Sequence, residues 1–395
     1  MKRELRRLEA AYAVVEDGRL VEYIERGREP AFGAVLLGKV SRMMPSLSAA
    51  FVEIGRAKAG FLPVKENSAS FTGGALHPGD TVAVQIRREE NGGKGAFLTR
   101  DITLPGMYTI VMPMNRHIGV SARVADEGTR VRLRELGQRT AADRFGLVMR
   151  AAAAAAEEAD IRREAEALAE EWEKTCRVIP EKRAPCELIP GSDPWTALLR
   201  DYLPKGVDAI RTDNGDDGAG LPDGITVEKL TAGELSDMRR QLSEAGSRVI
   251  RLPHGGNVII DRCEAMTVID VNTAGDGGAG LRENIFMRTN LEACREIAVQ
   301  TRLRNLGGII LADMIDLKSD EDRGRVIAEM REAFAIDRVK TVVHGFTSLG
   351  ILEMTRKRGS GAAQLPDASA SGREIAAESG ADDGGAADGS AGVNG

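Results

Sequence analysis

Two aspartates occupy matching positions on two short apolar segments of this sequence. Asp270 stands in the run 268–273 and Asp313 in the run 309–317. Two carboxylates that the fold brings together are costly to desolvate unless a positive charge lies between them. Mg²⁺ is the simplest answer, because one or two carboxylates hold it while waters or phosphate oxygens fill its remaining positions. The pattern indicates metal-assisted attack on a phosphodiester. The alternative is that both aspartates merely cap loops at strand ends.

The residues between the two aspartates predict how they are positioned. Residues 268–273 and 309–317 have the short β-branched runs of buried strands, and residues 283–305 have the 3.6-residue periodicity of a helix. A strand, a helix and a second strand form a βαβ unit, whose two strands are parallel. We therefore expect Asp270 and Asp313 to lie close together at corresponding strand ends.

The composition favours a reduced cytosolic protein of several domains. The chain has 395 residues, of which 42% are hydrophobic, enough for two to four cores. Its four cysteines are widely spaced without a CxxC pair, which is typical of the reducing cytoplasm. We expect neither a signal peptide nor a membrane span. The net charge of −6 is concentrated in an acidic tail after Gly359, so bulk basicity does not argue for nucleic-acid binding.

Further local patterns divide the chain. Asp17-Gly18 between two apolar runs predicts a hairpin, and several short strands from residue 33 onward predict a small closed barrel. An alanine-rich helix with opposite charges at helical spacing begins near Glu157. A second helix is predicted from Glu228 to Ala245, and a strand at 257–261 is the expected hairpin partner of the first aspartate strand.

The barrel segment resembles the OB-fold found in ribosomal-type RNA-binding proteins. In that module exposed aromatic side chains stack on unpaired bases and a basic rim holds phosphates. Phe51 and Phe61 are the stacking candidates, and Lys94 is a candidate phosphate contact. The alternative is that both phenylalanines belong to the barrel core. Arg150, at the end of a predicted strand, could bind a phosphate bidentately or form an ordinary surface salt bridge.

Several motifs together resemble the ribonuclease E/G family. The resemblance covers residues 10–358 and is specific, because the two aspartate strands match in order and spacing together with the barrel in front of them. The matching segments are 45–52, 60–63, 255–261, 268–274, 289–293, 302–308, 309–317 and 350–356.

The resemblance implies an α/β multidomain protein. It implies a DNase I-like catalytic domain and a split RNase H-like domain, with an inserted OB-fold (S1-type) barrel and a 5′-sensor domain. The expected boundaries are 1–32 with 196–248 for the RNase H-like domain, 33–103 for the barrel, 104–195 for the 5′-sensor domain, 249–358 for the catalytic domain and 359–395 for a disordered acidic tail.

The resemblance also implies an activity and its residues. The protein is expected to cleave single-stranded RNA in RNA processing and decay, with Mg²⁺ bound by Asp270 and Asp313. Asn272 is expected to orient one carboxylate or the scissile phosphate. Water activated by the metal would attack in line and leave a 5′-phosphate and a 3′-hydroxyl.

Two departures from the family pattern qualify these expectations. The family's 5′-monophosphate pocket pairs an arginine with a threonine, whereas Arg150 is followed here by Ala151 and lacks that hydroxyl donor. The family's CPxC motif, through which two chains share a zinc, has no counterpart after Cys294. We expect no zinc-linked dimer, and the oligomeric state stays open.

Two other functions remain as alternatives. One is a non-catalytic RNA-binding relative that keeps the barrel but does not cleave. The other takes the glycine-rich residues 275–280 as a nucleotide phosphate cradle before a helix. That segment lacks both the Walker lysine and the dinucleotide-binding spacing, which favours a flexible loop.

Overall fold

The structure is a computed structural model that describes residues 1–26, 32–64, 74–90, 95–213, 227–273 and 282–357. The chain forms two compact units. The C-terminal unit comprises Ala13–Tyr23 and Glu228–Gly395, and the N-terminal unit comprises Lys2–Tyr12 and Ile24–Val227. Within the described residues, no helix is both long enough and apolar enough to cross a bilayer.

The secondary-structure elements are numbered in chain order. The strands are β1 (Arg3–Arg7), β2 (Ala11–Glu16), β3 (Arg19–Glu25), β4 (Val35–Met44), β5 (Ala49–Glu53), β6 (Gly60–Pro63), β7 (Thr81–Arg88), β8 (Phe97–Thr99), β9 (Leu104–Pro105), β10 (Thr109–Met112), β11 (Ile118–Val120), β12 (Gly146–Met149), β13 (Cys186–Ile189), β14 (Ala209–Thr212), β15 (Val227–Lys229), β16 (Val249–Arg251), β17 (Asn257–Arg262), β18 (Met266–Asn272), β19 (Gly308–Asp313), β20 (Thr341–Phe346) and β21 (Ile351–Arg356). The helices are α1 (Glu127–Ala141), α2 (Glu158–Val178), α3 (Pro194–Tyr202), α4 (Ala232–Ala245), α5 (Arg282–Leu303) and α6 (Asp320–Ala335).

A six-stranded sheet organises the C-terminal unit. Its strand order is β16-β17-β18-β19-β21-β20, and β18 and β19 are parallel neighbours joined through α5. Side chains alternate between the two faces of a strand, and those on one face form a core with α5 and α6 that includes Ile269, Ile310 and Met330. Among the described residues, the other face exposes Val268 and Ile309 to solvent. The predicted βαβ unit is confirmed, and the open face carries its polar strand-end residues.

Buried ion pairs hold the β2–β3 hairpin within the same unit. The Arg302 guanidinium, near the end of α5, donates to the Glu16 carboxylate at 2.8 and 3.1 Å, and both side chains are almost fully buried. Arg338 donates to Glu22 at 2.6 Å. Buried charges persist only when paired and hydrogen-bonded, so these pairs fix the hairpin against the unit that contains the aspartates. The turn at Asp17-Gly18 is the one predicted from the sequence.

A closed barrel forms part of the N-terminal unit. Strands β4, β5, β6, β8 and β7 follow one another in the sheet, and β7 pairs with β4 to complete the ring. Aliphatic side chains including Val52, Leu62 and Leu98 fill its interior. A small closed barrel was predicted here and is confirmed. Strand β13, from the segment expected to belong to the following domain, also pairs with β4.

A second sheet of the N-terminal unit has the order β11-β12-β10-β9. Helices α1 and α2 share a hydrophobic core with it, in which Leu133, Leu147 and Ile161 are fully buried. Elsewhere in this unit β1 pairs in parallel with β14, from Glu4 opposite Ala209 to Arg7 opposite Thr212. The mixed α/β character of the chain is thus confirmed, while the DNase I-like and RNase H-like assignments remain predictions.

Helices show where sequence patterns misplace boundaries. The predicted helix from Glu228 starts too early, because Thr231 caps α4 by accepting from the Glu234 backbone N–H while the Glu234 carboxylate accepts from the Thr231 N–H. This reciprocal capping box defines the first turn. Helices α1 and α6 were not predicted from the sequence. The expected disordered tail, residues 359–395, lies outside the described residues.

Candidate active site and RNA-binding face

Neighbouring parallel strands place Asp270 and Asp313 side by side. The two residues are direct Cα partners in the register of β18 and β19, which corresponds to a backbone separation of about 4.8 Å. Ile269, Val271 and Ala312 point into the core, so the alternation along each strand turns both carboxylates to the open face. The expectation that the two aspartates meet at corresponding strand ends is confirmed.

Asn272 completes this polar group. Its Nδ2 donates to Asp270 Oδ2 at 2.8 Å, which is the contact that the predicted orienting role requires. Asp270 and Asp313 are both exposed. The argument that burial on apolar strands makes a cation necessary is therefore wrong, because solvent reaches both carboxylates. What remains is the mutual repulsion of two like charges at close range, which a cation would relieve.

The donor chemistry of this group fits Mg²⁺. The ion is usually held by one or two carboxylates and completes its octahedron with waters and substrate phosphate oxygens. Across the described residues, neither Asp270 nor Asp313 forms an ion pair with a lysine or arginine, so both carboxylates can receive a cation. No group of three or more His, Cys, Asp or Glu side chains in the described part of the chain is arranged to hold a metal. Any ion here would therefore rest on the carboxylate pair and keep several open positions.

Three phenylalanines form a row on the barrel surface. Phe51 and Phe61 are register partners on β5 and β6, with ring centroids 6.0 Å apart and nearly perpendicular planes. Phe97 on β8 is the register partner of Phe61, at a centroid distance of 5.8 Å. All three rings are partly exposed, and none belongs to the barrel core. The interpretation of Phe51 and Phe61 as core residues is wrong.

Arginines lie over both ends of this aromatic row. The Arg42 guanidinium is 5.3 Å from the centre of Phe51, and that of Arg88 is 4.4 Å from the centre of Phe97. Cations in this position are attracted to the ring face and can also contact a phosphate. Sequence reasoning missed Phe97, although an aromatic residue directly after Gly95-Ala96 in the barrel segment was a usable signal.

Arg150 is engaged within the N-terminal unit. Its Nη1 donates to the Gly106 carbonyl and its Nη2 to Asp201 Oδ1, each at 2.6 Å. The backbone amides of the neighbouring residues 107–109 donate to the Glu164 carboxylate at 2.6 to 2.9 Å. Protein acceptors therefore already use these donors, which favours the salt-bridge interpretation of Arg150 over a free phosphate fork.

Two candidates from the sequence lie outside the described residues. Lys94, the candidate phosphate contact of the barrel, is one of them, and the glycine-rich segment 275–280 is the other. Their assigned roles stay predictions.

Comparison with known proteins agrees with these features. The model of the Ribonuclease E/G family matches residues 103–359. Ribonuclease G of Escherichia coli (strain K12) is 34% identical over 380 residues, covering 89% of this chain and 78% of that protein. Ribonuclease G of Haemophilus influenzae is 35% identical over 384 residues, covering 89% and 77%. Ribonuclease E of Escherichia coli (strain K12) is 33% identical over 379 residues, covering 89% of this chain and 36% of the relative. The chain belongs to the ribonuclease E/G family.

Proposed function

We propose that the protein is a Mg²⁺-dependent endoribonuclease that cleaves single-stranded RNA by hydrolysis of a phosphodiester bond. The observation that carries the proposal is the register of Asp270 with Asp313, which places both carboxylates on the exposed face of the sheet at the ends of β18 and β19. Membership of a family whose relatives are named ribonuclease G and ribonuclease E supports the choice of RNA as substrate.

Each residue of the site has a distinct task in this proposal. Asp270 and Asp313 would hold the ion, and Asn272 keeps the Asp270 carboxylate in a single orientation through its amide N–H. A bound Mg²⁺ lowers the pKa of its water and neutralises charge on the phosphate. Exposure of both carboxylates leaves room for a strand to lie across the open face. Attack by water rather than by the ribose 2′-OH leaves a 5′-phosphate and a 3′-hydroxyl.

The barrel supplies the strand-binding surface. Single-stranded RNA binds proteins through stacking on aromatic rings and through cations that follow the phosphates. Phe51, Phe61 and Phe97 provide adjoining rings, and Arg42 and Arg88 bring positive charge to both ends of the row. Stacking tolerates any base, because every base has a π face. This surface therefore favours binding of unpaired RNA with little sequence preference.

Discrimination of the RNA 5′ end is proposed to be weak. Arg150 is bound to Asp201 and Gly106, and Ala151 offers no hydroxyl to a phosphate.

We extend the proposal to a role in RNA processing and decay in the cytoplasm, within the domain arrangement expected from the family. No zinc-linked dimer is proposed.

Cleavage of a short fluorescent A/U-rich single-stranded RNA tests the proposal. The wild type is expected to cut in Mg²⁺ and not in EDTA, and Asp270→Asn and Asp313→Asn are each expected to lose cutting while retaining RNA binding. Glu264→Gln removes an equal charge from the turn between β17 and β18, which lies at the end of these strands away from Asp270. This control variant should cut the RNA normally. If the wild type binds this RNA and never cuts it in Mg²⁺, the non-catalytic RNA-binding alternative replaces the proposal.

A further inference from the structure

The turn between β16 and β17 lies at the same end of the sheet as the two aspartates. Asn257, which begins β17, is the register partner of Asn272. The turn is closed by a hydrogen bond from Leu252 N–H to the Gly256 carbonyl at 3.1 Å. A β-carbon at Gly256 would lie 2.4 Å from the Asn272 carbonyl oxygen, so only glycine allows the turn to pack this closely on the end of β18.

This turn presents a histidine that a carboxylate holds at two points. His254 Nδ1 is 2.5 Å from Glu292 Oε1, and the His254 backbone N–H donates to Glu292 Oε2 at 3.3 Å. Glu292 lies on α5 with its side chain 10% exposed, whereas the His254 side chain is 63% exposed. Arg288, one turn earlier on α5, lies 4.0 Å from the same carboxylate. The carboxylate is thus fixed by its surroundings, and it fixes the imidazole.

The Glu292 contact determines which ring nitrogen carries the proton. An ionised carboxylate only accepts hydrogen bonds, so Nδ1 must be the donor. In the neutral imidazole the lone pair then lies on Nε2. Carboxylates orient histidines in this manner in metal sites and in catalytic triads. Within the described part of the chain Nε2 has no hydrogen-bond partner, and the exposed His254 side chain belongs to the turn that packs on Asn272 at the end of β18.

In the neutral ring this nitrogen is suited to a hydrogen-bond donor on the substrate. A third metal ligand is not indicated, because no cluster of three such side chains able to hold a metal occurs among the described residues. Phosphate oxygens only accept, so they do not match a nitrogen lone pair. The ribose 2′-OH is the donor that every RNA nucleotide carries next to its phosphate, and it distinguishes RNA from DNA.

We propose that His254, oriented by Glu292, accepts a hydrogen bond from the 2′-OH of a nucleotide beside the scissile phosphate and so selects RNA over DNA at the cut. The inference rests on the proposed endoribonuclease function. His254 is a positioning residue, and it acts on the ribose and not on the bond that breaks.

The test compares an A/U-rich single-stranded RNA with the same strand carrying 2′-deoxyribose on both sides of the mapped cut. In the wild type the substitution should lower kcat/KM about fivefold, the effect of one hydrogen bond. In His254→Phe the two strands should be cut at equal rates. The proposal is overturned if His254→Phe keeps the wild-type ratio of kcat/KM between the two strands. It is also overturned if that ratio is one in the wild type.

Glu292→Gln tests the orientation separately. The glutamine amide can donate to Nδ1, so it permits the tautomer that carries its hydrogen on Nε2. In that tautomer Nε2 cannot accept a hydrogen bond from the 2′-OH, and the ratio of kcat/KM between the two strands should fall towards one. An unchanged ratio would remove Glu292 from the proposal. His344→Phe is the matched control, because His344 lies on the edge strand β20, where its Nε2 is 2.9 Å from Thr355 Oγ1; this variant should keep the wild-type ratio. Circular dichroism establishes that each variant is folded.

The outcome can be separated from that of the proposed function. If the wild type cuts neither strand, the endonuclease proposal fails. The inference is then decided by the ratio of the dissociation constants of the RNA strand and of an all-deoxyribose strand of the same sequence, measured by fluorescence anisotropy in EDTA with the same variants. A preference for the all-RNA strand that His254→Phe abolishes supports it, and an equal preference in both proteins refutes it.

Discussion

Neutralising either aspartate of the pair should stabilise the metal-free protein. Asp270 and Asp313 are register partners that project from the same face of the sheet. Two unit charges about 5 Å apart in water repel by about 0.8 kcal/mol, and salt reduces this further. Asp270→Asn keeps an oxygen that can accept from Asn272, so the change removes the charge without removing the hydrogen bond. Each single variant should therefore gain at most about 0.8 kcal/mol in EDTA.

In Mg²⁺ the wild type should become more stable than either aspartate variant. A ligand that binds only the folded state adds about 1.4 kcal/mol at ten times its dissociation constant and about 2.7 kcal/mol at one hundred times. The wild type should gain stability across a Mg²⁺ titration, whereas Asp270→Asn and Asp313→Asn should gain little. The double variant should be no more stable in EDTA than either single variant, because one neutral residue already removes the repulsion.

Urea unfolding followed by circular dichroism measures these changes, in EDTA and at increasing Mg²⁺. Glu264→Gln is the control for a general effect of net charge, since Glu264 lies exposed in the turn between β17 and β18. It should unfold like the wild type in EDTA and gain equally from Mg²⁺. The reasoning is refuted if both aspartate variants are destabilised in EDTA, or if Mg²⁺ stabilises all the variants equally.

Two further predictions concern the barrel and the buried ion pairs. Phe97→Ala should weaken binding of single-stranded RNA by about 1–3 kcal/mol, the contribution of one stacked base, in a variant that circular dichroism shows to be folded; equal affinity by fluorescence anisotropy would contradict the aromatic row. Arg302→Met leaves the Glu16 carboxylate buried without its guanidinium partner and should cost about 3–5 kcal/mol in urea unfolding. Arg240→Met, at an exposed ion pair on α4, is the control and should change little.

The sequence was most informative where local patterns and tertiary structure agree. The β18-α5-β19 unit was predicted because β-branched strands and an amphipathic helix have different periods. The β2–β3 hairpin was predicted because Asp-Gly favours the required turn. The early start assigned to α4 came from reading Glu228 as helical, whereas the capping box at Thr231 was the stronger local signal. Helix α6, with no comparable pattern recognised in it, was missed.

Side-chain surroundings could not be inferred in the same way. Asp270 and Asp313 were expected to be costly to desolvate, yet they are exposed, because α5 and α6 cover only the opposite face of the sheet. Arg150 was expected to bind phosphate or a surface partner, and the fold supplies Asp201, distant in sequence. His254 carried no local signal at all, since Glu292 reaches it from a helix that begins after an intervening hairpin.

The sequence by itself determined the family and the two aspartates with their asparagine. It also determined the strands and the helix that place these residues at neighbouring strand ends, because all of this follows from residue types at short spacing. Only the tertiary structure decided that the carboxylates face solvent, that Phe97 continues the row of Phe51 and Phe61, and that Glu292 orients His254. Each of these depends on strand register or on contacts between distant segments. Register and packing are settled by how whole faces bury their apolar surface, and no short stretch of sequence contains that information.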